Sequence, residues 1–171
     1  MRFANVLTEK IPIMLADFLT GGFTGWVYET VITSIAFGRF EDRGVLPVPI
    51  LPIYGFFALI LAFLVKRETN IALLFILSSA GATIFELMGA YLTESLMGER
   101  LWDYGDWPLN FFDGRISVFS SLIFGGMCCF FVKLLHPLIL KIQGRTPKAF
   151  PAVVYVITAV LAAICIIRAA A

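Results

Sequence analysis

The chain has 171 residues, of which 60% are hydrophobic and only 15% are charged, and its formal net charge is +1. A soluble domain of this length could not bury so much apolar surface, so we expect lipid to be its solvent. The near-neutral charge and the absence of a basic patch argue against a nucleic-acid partner.

Five stretches are long and apolar enough to cross a bilayer, which requires about 20 mostly apolar residues. They are residues 13–37, 47–65, 70–93, 116–135 and 150–168. The sustained alternation of apolar and polar residues that a membrane β-barrel requires is absent. The sequence therefore predicts an all-α fold, a polytopic transmembrane bundle of about five spanning helices that forms a single domain over residues 1–171.

The first span combines glycines with one carboxylate. Gly21 and Gly25 form a GxxxG pattern, which favours close helix packing but is common by chance in membrane helices. Glu29 lies about eight residues before the outer end of the span, or about 12 Å deep at 1.5 Å per residue. Ionisable residues at that depth are costly and tend to be functional, so Glu29 is a candidate site residue.

The second span follows a charged loop, GRFEDRG, which contributes Arg39 and Arg43 as candidates. Three prolines mark the entry to this span, where a missing amide hydrogen costs little: Pro47, Pro49 and Pro52. Tyr54 lies in the span at a depth similar to that of Glu29.

The third span places Glu86 about seven residues before its outer end, or about 10 Å deep. A dense polar passage, WDYGDWPLNFFDGRIS, then leads into the fourth span. Its candidate ligand-binding or acid/base residues are Asp103, Tyr104, Asn110, Arg115 and Ser117. Trp102 and Trp107 fit either the aromatic belt at a membrane interface or stacking on a ligand.

These polar groups come from four spans and fall at one level, which predicts a polar cavity that opens to the outer face under both loops. Glu29 and Glu86 are candidates to bind a cation or a proton, or to hold Arg43 and Arg115 toward an anionic ligand. The alternative is structural, with Glu–Arg pairs that fix the loops onto the bundle.

Familiar motifs for cofactors are absent, and we expect neither a cofactor nor a metal ion. The chain has no phosphate-binding loop, HExxH or GxSxG, and no Cys/His spacing of a metal site. The cysteines lie in apolar runs and are expected to be small buried residues: Cys128, Cys129 and Cys165. His136 is isolated, and we expect it at the C-terminal end of the fourth helix.

Lysine and arginine residues predict the orientation, because the cytoplasmic loops of membrane proteins carry an excess of them. With five spans, one side holds Arg2, Lys10, Lys66, Arg67, Lys133, Lys141, Arg145 and Lys148. The other side holds Arg39, Arg43, Arg100, Arg115 and Arg168. The sequence therefore predicts a protein of the plasma or inner membrane with its N-terminus in the cytoplasm and its C-terminus outside.

Between about Gly25 and Pro137 the chain resembles the CmpB-like family, whose members are labelled ABC-transporter permeases. The resemblance rests on five motifs in order: GWVYET, GRFEDRGVLPVPILPIYG, ATIFELMGAYLTE, LWDYGDWPLNFFDGRISVFSSLIFG and LLHPLI. It implies a small polytopic membrane protein whose motif residues here are Glu29, Arg39, Arg43, Pro52, Tyr54, Glu86, Trp102, Asp103, Tyr104, Asn110, Gly114, Arg115 and His136.

The chain departs from the family pattern at several places. Asp42 stands where an asparagine precedes the first Arg-Gly, and Val48–Pro49 stand where a glycine precedes the proline. ELMGAY lacks the aromatic residue that commonly follows the glutamate, and WDYGDW lacks the serine after the tyrosine. These departures bear on ligand specificity more than on the fold.

Three functions stay open at this level. The first is a permease-like transport or binding component for a small charged ligand, with a membrane or ATPase subunit as partner through residues 133–150. The second is an intramembrane enzyme acting on a lipid or isoprenoid phosphate headgroup, with Arg43 and Arg115 on the phosphate and Glu29, Glu86 or Asp103 as acid or base. The third is an accessory structural subunit.

Overall fold

The computed structural model describes residues 10–66 and 68–170. Its helices are α1 (Ile11–Phe37), α2 (Pro52–Leu64), α3 (Ile71–Met97), α4 (Val118–Phe130), α5 (His136–Arg145) and α6 (Ala149–Ala170). A π-helical turn, Phe131–Leu135, joins α4 to α5, so Val118–Arg145 is one unbroken helix. Two short strands, β1 (Asn110–Phe111) and β2 (Ile116–Ser117), pair antiparallel. Arg2 and Arg67, used above to predict the orientation, lie outside the described residues.

The helices confirm an all-α fold, and the chain is a membrane protein. Three helices of the described chain are long and apolar enough to cross a bilayer: Ile71–Met97, Val118–Arg145 and Ala149–Ala170. α1 has the length but also contains Asp17, Glu29 and several glycines and threonines. α2 has 13 residues and spans about 20 Å, less than the hydrocarbon thickness of about 30 Å. The arrangement as five spans therefore stays a prediction.

The chain divides into two compact units. Unit 1 contains α1, α2, α5 and α6, and unit 2, Val65–Leu134, contains α3, α4 and the two strands. Each unit is described by itself below.

In unit 1, α1 packs on α2 through its glycines. A β-carbon at Gly21 would lie 2.4 Å from that of Ala58, and one at Gly25 would lie 2.2 Å from the ring of Tyr54. The backbone N–H of Leu51 donates to the carbonyl of Gly22 at 3.1 Å. The GxxxG pattern thus serves close packing between consecutive helices.

The other end of α1 packs against α5 and α6. Ala16 of α1, Ile139 of α5, and Phe150 and Val154 of α6 form one buried apolar cluster. Burial of such side chains stabilises a packed contact mainly through close van der Waals interaction when the surroundings are lipid.

In unit 2, polar caps define where α3 and α4 begin. The side chain of Asn70 accepts hydrogen bonds from the N–H groups of residues 72 and 73, and α3 ends at Gly98 in the left-handed conformation. Ser117 caps α4 and forms a capping box with Ser120. Further along, a β-carbon at Gly125 would lie 2.0 Å from the hydroxyl of Ser79, so α3 and α4 are in close contact there.

We expect Gly25→Ala to destabilise the protein, because its methyl group collides with the ring of Tyr54. Overpacking of this kind costs about 1–3 kcal/mol. The melting temperature of the detergent-solubilised protein would fall accordingly. The matched control is Gly126→Ala in α4, whose β-carbon would meet no described atom within 4 Å. Alanine is favoured over glycine in a helix by about 1 kcal/mol, so this control should melt no lower than wild type. Equal melting temperatures for the two variants would contradict the packing.

Candidate functional site

In unit 1 two predicted site residues, Tyr54 and Arg43, contact a third, Glu29. The hydroxyl of Tyr54 donates to Oε1 of Glu29 at 2.9 Å. Nε of Arg43 lies 3.6 Å from Oε2 of the same carboxylate, and both side chains are partly buried. The backbone N–H of Arg43 also donates to Oγ1 of Thr30 at 3.4 Å. The carboxylate on α1 is thus contacted by α2 and by the loop between the two helices.

The position of Tyr54 follows from the helix contact. Its ring packs on Gly25, four residues before Glu29, and residues four apart lie on one face of a helix. A glycine on that face leaves room for the ring, and the ring directs its hydroxyl toward the carboxylate one turn further on.

The rest of the first loop is fixed to α1 by other groups. Nε1 of Trp26 donates to Oδ1 of Asp42 at 2.7 Å, and the N–H of Glu41 donates to the hydroxyl of Ser34 at 2.9 Å. Arg39 forms an ion pair with Glu41, and 75% of its side chain is exposed. Arg39 therefore lies in a surface pair rather than against Glu29.

In unit 2 the buried carboxylate is Glu86, which is 4% exposed. The hydroxyl of Tyr104 donates to its Oε1 at 2.7 Å, and the hydroxyl oxygen of Ser120 lies 3.4 Å from its Oε2. Ser120 is 1% exposed. The segment between α3 and α4, residues 99–117, is called the long loop. Two hydroxyl groups, one from the long loop and one from α4, therefore contact a carboxylate of α3.

Ser117, a predicted site residue, caps the N-terminus of α4 instead. Its hydroxyl accepts from the N–H of Phe119 at 3.2 Å and donates to the carbonyl of Pro108 at 3.3 Å. Its carbonyl accepts from the hydroxyl of Ser120 at 2.8 Å, and that serine contacts the carboxylate. Both serines begin the fourth span in the sequence, and their spacing of three residues is that of a capping box, but only Ser117 was predicted as a site residue.

Arg115 is bound by a residue that the sequence analysis did not select. Its Nη2 lies 2.8 Å from Oε2 of Glu94, and the hydrogen bond to Glu94 raises the pKa of Arg115 above its ordinary value. It also donates to the carbonyl of Phe112 at 2.8 Å, pairs with Asp113 at 3.3 Å, and lies 4.7 Å from the ring centre of Tyr91. Only 12% of its side chain is exposed.

Glu94 also binds a second arginine. Nε of Arg100 lies 2.8 Å from Oε1 of Glu94, and Nη1 of Arg100 lies 3.5 Å from Oδ2 of Asp103. Glu94 follows Glu86 by eight residues, about two helical turns, so the spacing could have identified it as sharing a face with the buried carboxylate.

The remaining predicted residues of the long loop form hydrogen bonds and ring contacts within the loop itself. Oδ1 of Asp103 accepts from the N–H of Gly105 at 2.7 Å, and the side-chain amide of Asn110 donates to the carbonyls of Gly105 and Trp107 at 3.0 and 2.9 Å. Nε1 of Trp102 donates to the carbonyl of Arg115 at 3.1 Å. The ring of Trp107 meets that of Tyr104 edge-on, with centres 5.1 Å apart.

Unit 1 contains a further buried carboxylate, Asp17, which the sequence analysis missed. Asp17 is 1% exposed, and its Oδ1 lies 2.9 Å from Nδ1 of His136. The expectation that His136 ends a helix is wrong, because the helix continues to Arg145. Pro137 has no backbone N–H to donate to the preceding turn, and the π-helical turn Phe131–Leu135 lets the helix continue despite this missing hydrogen bond. The sequence did contain a signal for Asp17, because it is an acidic residue at the seventh position of a mostly apolar helix.

Within residues 10–66 and 68–170, no three His, Cys, Asp or Glu side chains cluster as a metal site. Cys128 and Cys129 are buried, and Cys165 is half-buried. Glu29 and Glu86 belong to different units, so the cavity shared by four spans stays a prediction.

The family comparison covers most of the chain. A family model described as "Putative ABC-transporter type IV" matches residues 16–169. Neither the curated proteins nor the solved structures contain a match.

We expect Asp17→Ala to lower the free energy of unfolding by about 3 kcal/mol, because it removes one partner of a buried pair with His136. Asp17→Asn should lose less, since its amide oxygen still accepts from His136. The exposed pair is the control: Glu41→Ala should cost at most about 1 kcal/mol. Thermal melting in detergent measures all three variants. Equal losses for Asp17→Ala and Glu41→Ala would show that burial of the pair does not matter.

We expect Glu94→Gln to loosen the long loop, because it weakens the contacts to Arg100 and Arg115 together. Chymotrypsin should then cleave after the exposed Phe112 about fivefold faster, as cleavage tracks the open population. Asp106→Asn, at another exposed loop acid, should leave the rate unchanged. If Glu94→Gln is cleaved at the wild-type rate, Glu94 does not control the loop.

Proposed function

The chain belongs to the family described as "Putative ABC-transporter type IV", and on that premise we propose that it is the permease-like membrane component of a transport system. Its ligand is a small charged molecule that carries a cationic group and enters from the outer face. The carboxylate cluster around Glu86 binds that group. An ATPase or another membrane subunit is the partner, contacted through the basic segment of residues 133–150.

One observation supports this proposal above the others. Glu86 is almost completely buried in a helix that is apolar enough to cross a membrane, and its contacts include the hydroxyls of Tyr104 and Ser120. Carboxylate and hydroxyl oxygens together are ligands suited to hard cations and ammonium groups. Ionisable residues at such positions mark ligand or ion pathways more often than they serve packing alone.

Glu29 supports the same interpretation in unit 1. It too accepts a hydrogen bond from a tyrosine hydroxyl, and the loop that follows its helix closes over it through Arg43. Each carboxylate is therefore reached by a tyrosine from a segment later in the chain.

The arginines support a cationic ligand rather than an anionic one. Arg115 is bound by Glu94 and Asp113, and Arg43 pairs with Glu29. A phosphate would have to displace these carboxylates before it could bind either guanidinium. This disfavours an enzyme that holds a lipid or isoprenoid phosphate on Arg43 and Arg115.

An accessory structural subunit is the second candidate. It is favoured by Glu94, which ties Arg100 and Arg115 to α3, and by the internal hydrogen bonds of the long loop. In that case Glu86 would only anchor the loop through Tyr104.

The test measures binding to protein in lipid nanodiscs. The probes are sodium, potassium, ammonium, choline and lysine, and the readout is the rise in melting temperature with probe concentration. At 100 times the Kd a ligand stabilises the folded state by about 2.7 kcal/mol. We expect at least one probe to stabilise wild type, and Glu86→Gln to weaken its binding about tenfold or more, as loss of a charge-assisted hydrogen bond implies.

Glu99→Gln, at an exposed acid, is the matched control and should bind as wild type does. A panel that stabilises wild type and Glu86→Gln equally would reject Glu86 as the site. If no probe binds while Glu86→Gln and Tyr104→Phe chiefly lower the melting temperature, the structural role is correct instead.

A further inference from the structure

Unit 2 contains a groove between α3 and α4 that belongs to neither carboxylate cluster. Its volume is about 440 Å³, within the range of sites that bind small molecules. The residues that define it include Ile76, Ser79 and Thr83 on α3, Phe111 on β1, and Ser121 and Leu122 on α4.

The groove exists because small side chains face each other beside a close helix contact. At Gly125 the two helices approach so closely that a β-carbon would meet the hydroxyl of Ser79. Beside this contact Ala80 and Thr83 line the groove and leave open the space that larger side chains would fill.

The hydroxyl groups at Thr83 and Ser121 already have partners in the protein. Oγ1 of Thr83 lies 2.6 Å from Oγ of Ser121 and 2.7 Å from the carbonyl oxygen of Ser79. The hydroxyl of Ser121 donates to the carbonyl of Ser117 at 2.8 Å. A hydrocarbon chain could therefore lie against these two side chains without depriving either of a hydrogen bond.

The rim of the groove is exposed and apolar. Ile76 is 63% exposed, Phe111 52% and Leu122 46%. Both helices are long and apolar enough to cross a membrane, and exposed apolar side chains of such helices face lipid chains. The groove consequently opens toward hydrocarbon.

Its length selects one kind of occupant. Along α3 the lining extends from Phe75 to Thr83, about 12 Å at 1.5 Å per residue. One leaflet contributes about 15 Å of hydrocarbon, whereas a partner helix would cross the full thickness of about 30 Å. A single lipid chain matches this length, and a spanning helix does not.

We propose that the groove between α3 and α4 binds one acyl chain of a phospholipid from the leaflet at which α3 begins, because the lining from Phe75 to Thr83 lies in the half of α3 that follows Asn70. This site lies outside the proposed charged-ligand function and does not depend on it.

Photo-crosslinking tests the proposal in nanodiscs that contain phosphatidylcholine with a diazirine on one acyl chain. Mass spectrometry of peptides locates the adducts. In wild type we expect a diazirine near the ester to label residues around Phe75 and Ile76, and one deeper in the chain to label residues around Ile116 and Val118. Labels spread evenly over the exposed faces of α3 would overturn the proposal.

Ala80→Phe supplies a variant that fills the groove. It should reduce groove adducts about tenfold while helicity and the size-exclusion profile stay as in wild type. Ala72→Phe places the same side chain at an exposed position of α3 outside the groove and should leave labelling unchanged. Undiminished groove labelling in a folded Ala80→Phe protein would refute the site, and the depth series in wild type decides the matter if that variant does not fold.

A second copy of the chain is the competing occupant. Photo-leucine at Leu122 would then yield crosslinked dimers, and the groove would show no lipid adducts. That result would reject the lipid site and assign the groove to an interface.

Discussion

A buried carboxylate in an apolar helix must find hydrogen-bond donors inside the protein, and this constraint organises both units. Removing such a group from water without partners is unfavourable by several kcal/mol. Glu29 is contacted by Tyr54 and Arg43, Glu86 by Tyr104 and Ser120, and Asp17 by His136. In every case a partner comes from a segment that follows the carboxylate in the chain, so these polar contacts help to define how later segments fold back onto α1 and α3.

The two units meet this constraint with similar local designs. Each begins with a helix of 27 residues that ends at a glycine in the left-handed conformation, Gly38 or Gly98. A loop with a buried or half-buried arginine follows, and a tyrosine beyond the helix end returns to the carboxylate. The designs differ in how the tyrosine is held. Tyr54 is placed by its packing on Gly25, whereas Tyr104 lies in a loop that is fixed by its own hydrogen bonds and by the ion pairs of Glu94.

The sequence predicted the fold class and several contacts, because the depth of a polar residue within an apolar run can be counted directly along the sequence. Glu29 and Tyr54 were selected that way and Arg43 from its charged loop, and the three lie together. Glu94 was missed since the third span was ended at residue 93, while α3 continues to Met97 and places this acid on the helix. The contacts within the long loop were harder to predict from the sequence. Four of its residues adopt positive φ angles: Leu109, Phe112, Asp113 and Gly114. The pair Asp113–Gly114 is typical of such a turn, but Leu109 and Phe112 are residue types that rarely adopt positive φ, so the turns on which they lie could not be predicted from residue types.

The distance along the chain between α1 and its partners has a consequence for biogenesis. Tyr54 follows Glu29 by 25 residues, but His136 follows Asp17 by 119. A ribosome therefore delivers α1 to the membrane with both carboxylates unpartnered. A charged aspartate at the centre of an inserting helix costs about 2.5–3.5 kcal/mol, which is an upper bound for Asp17 because it is the seventh residue of α1. α1 is also not among the helices of the described chain that qualify as spans on length and composition. The hairpin with α2 can satisfy Glu29 early, whereas Asp17 must wait for nearly the whole chain. Stable insertion of the first helix thus depends on one of the last to be synthesised.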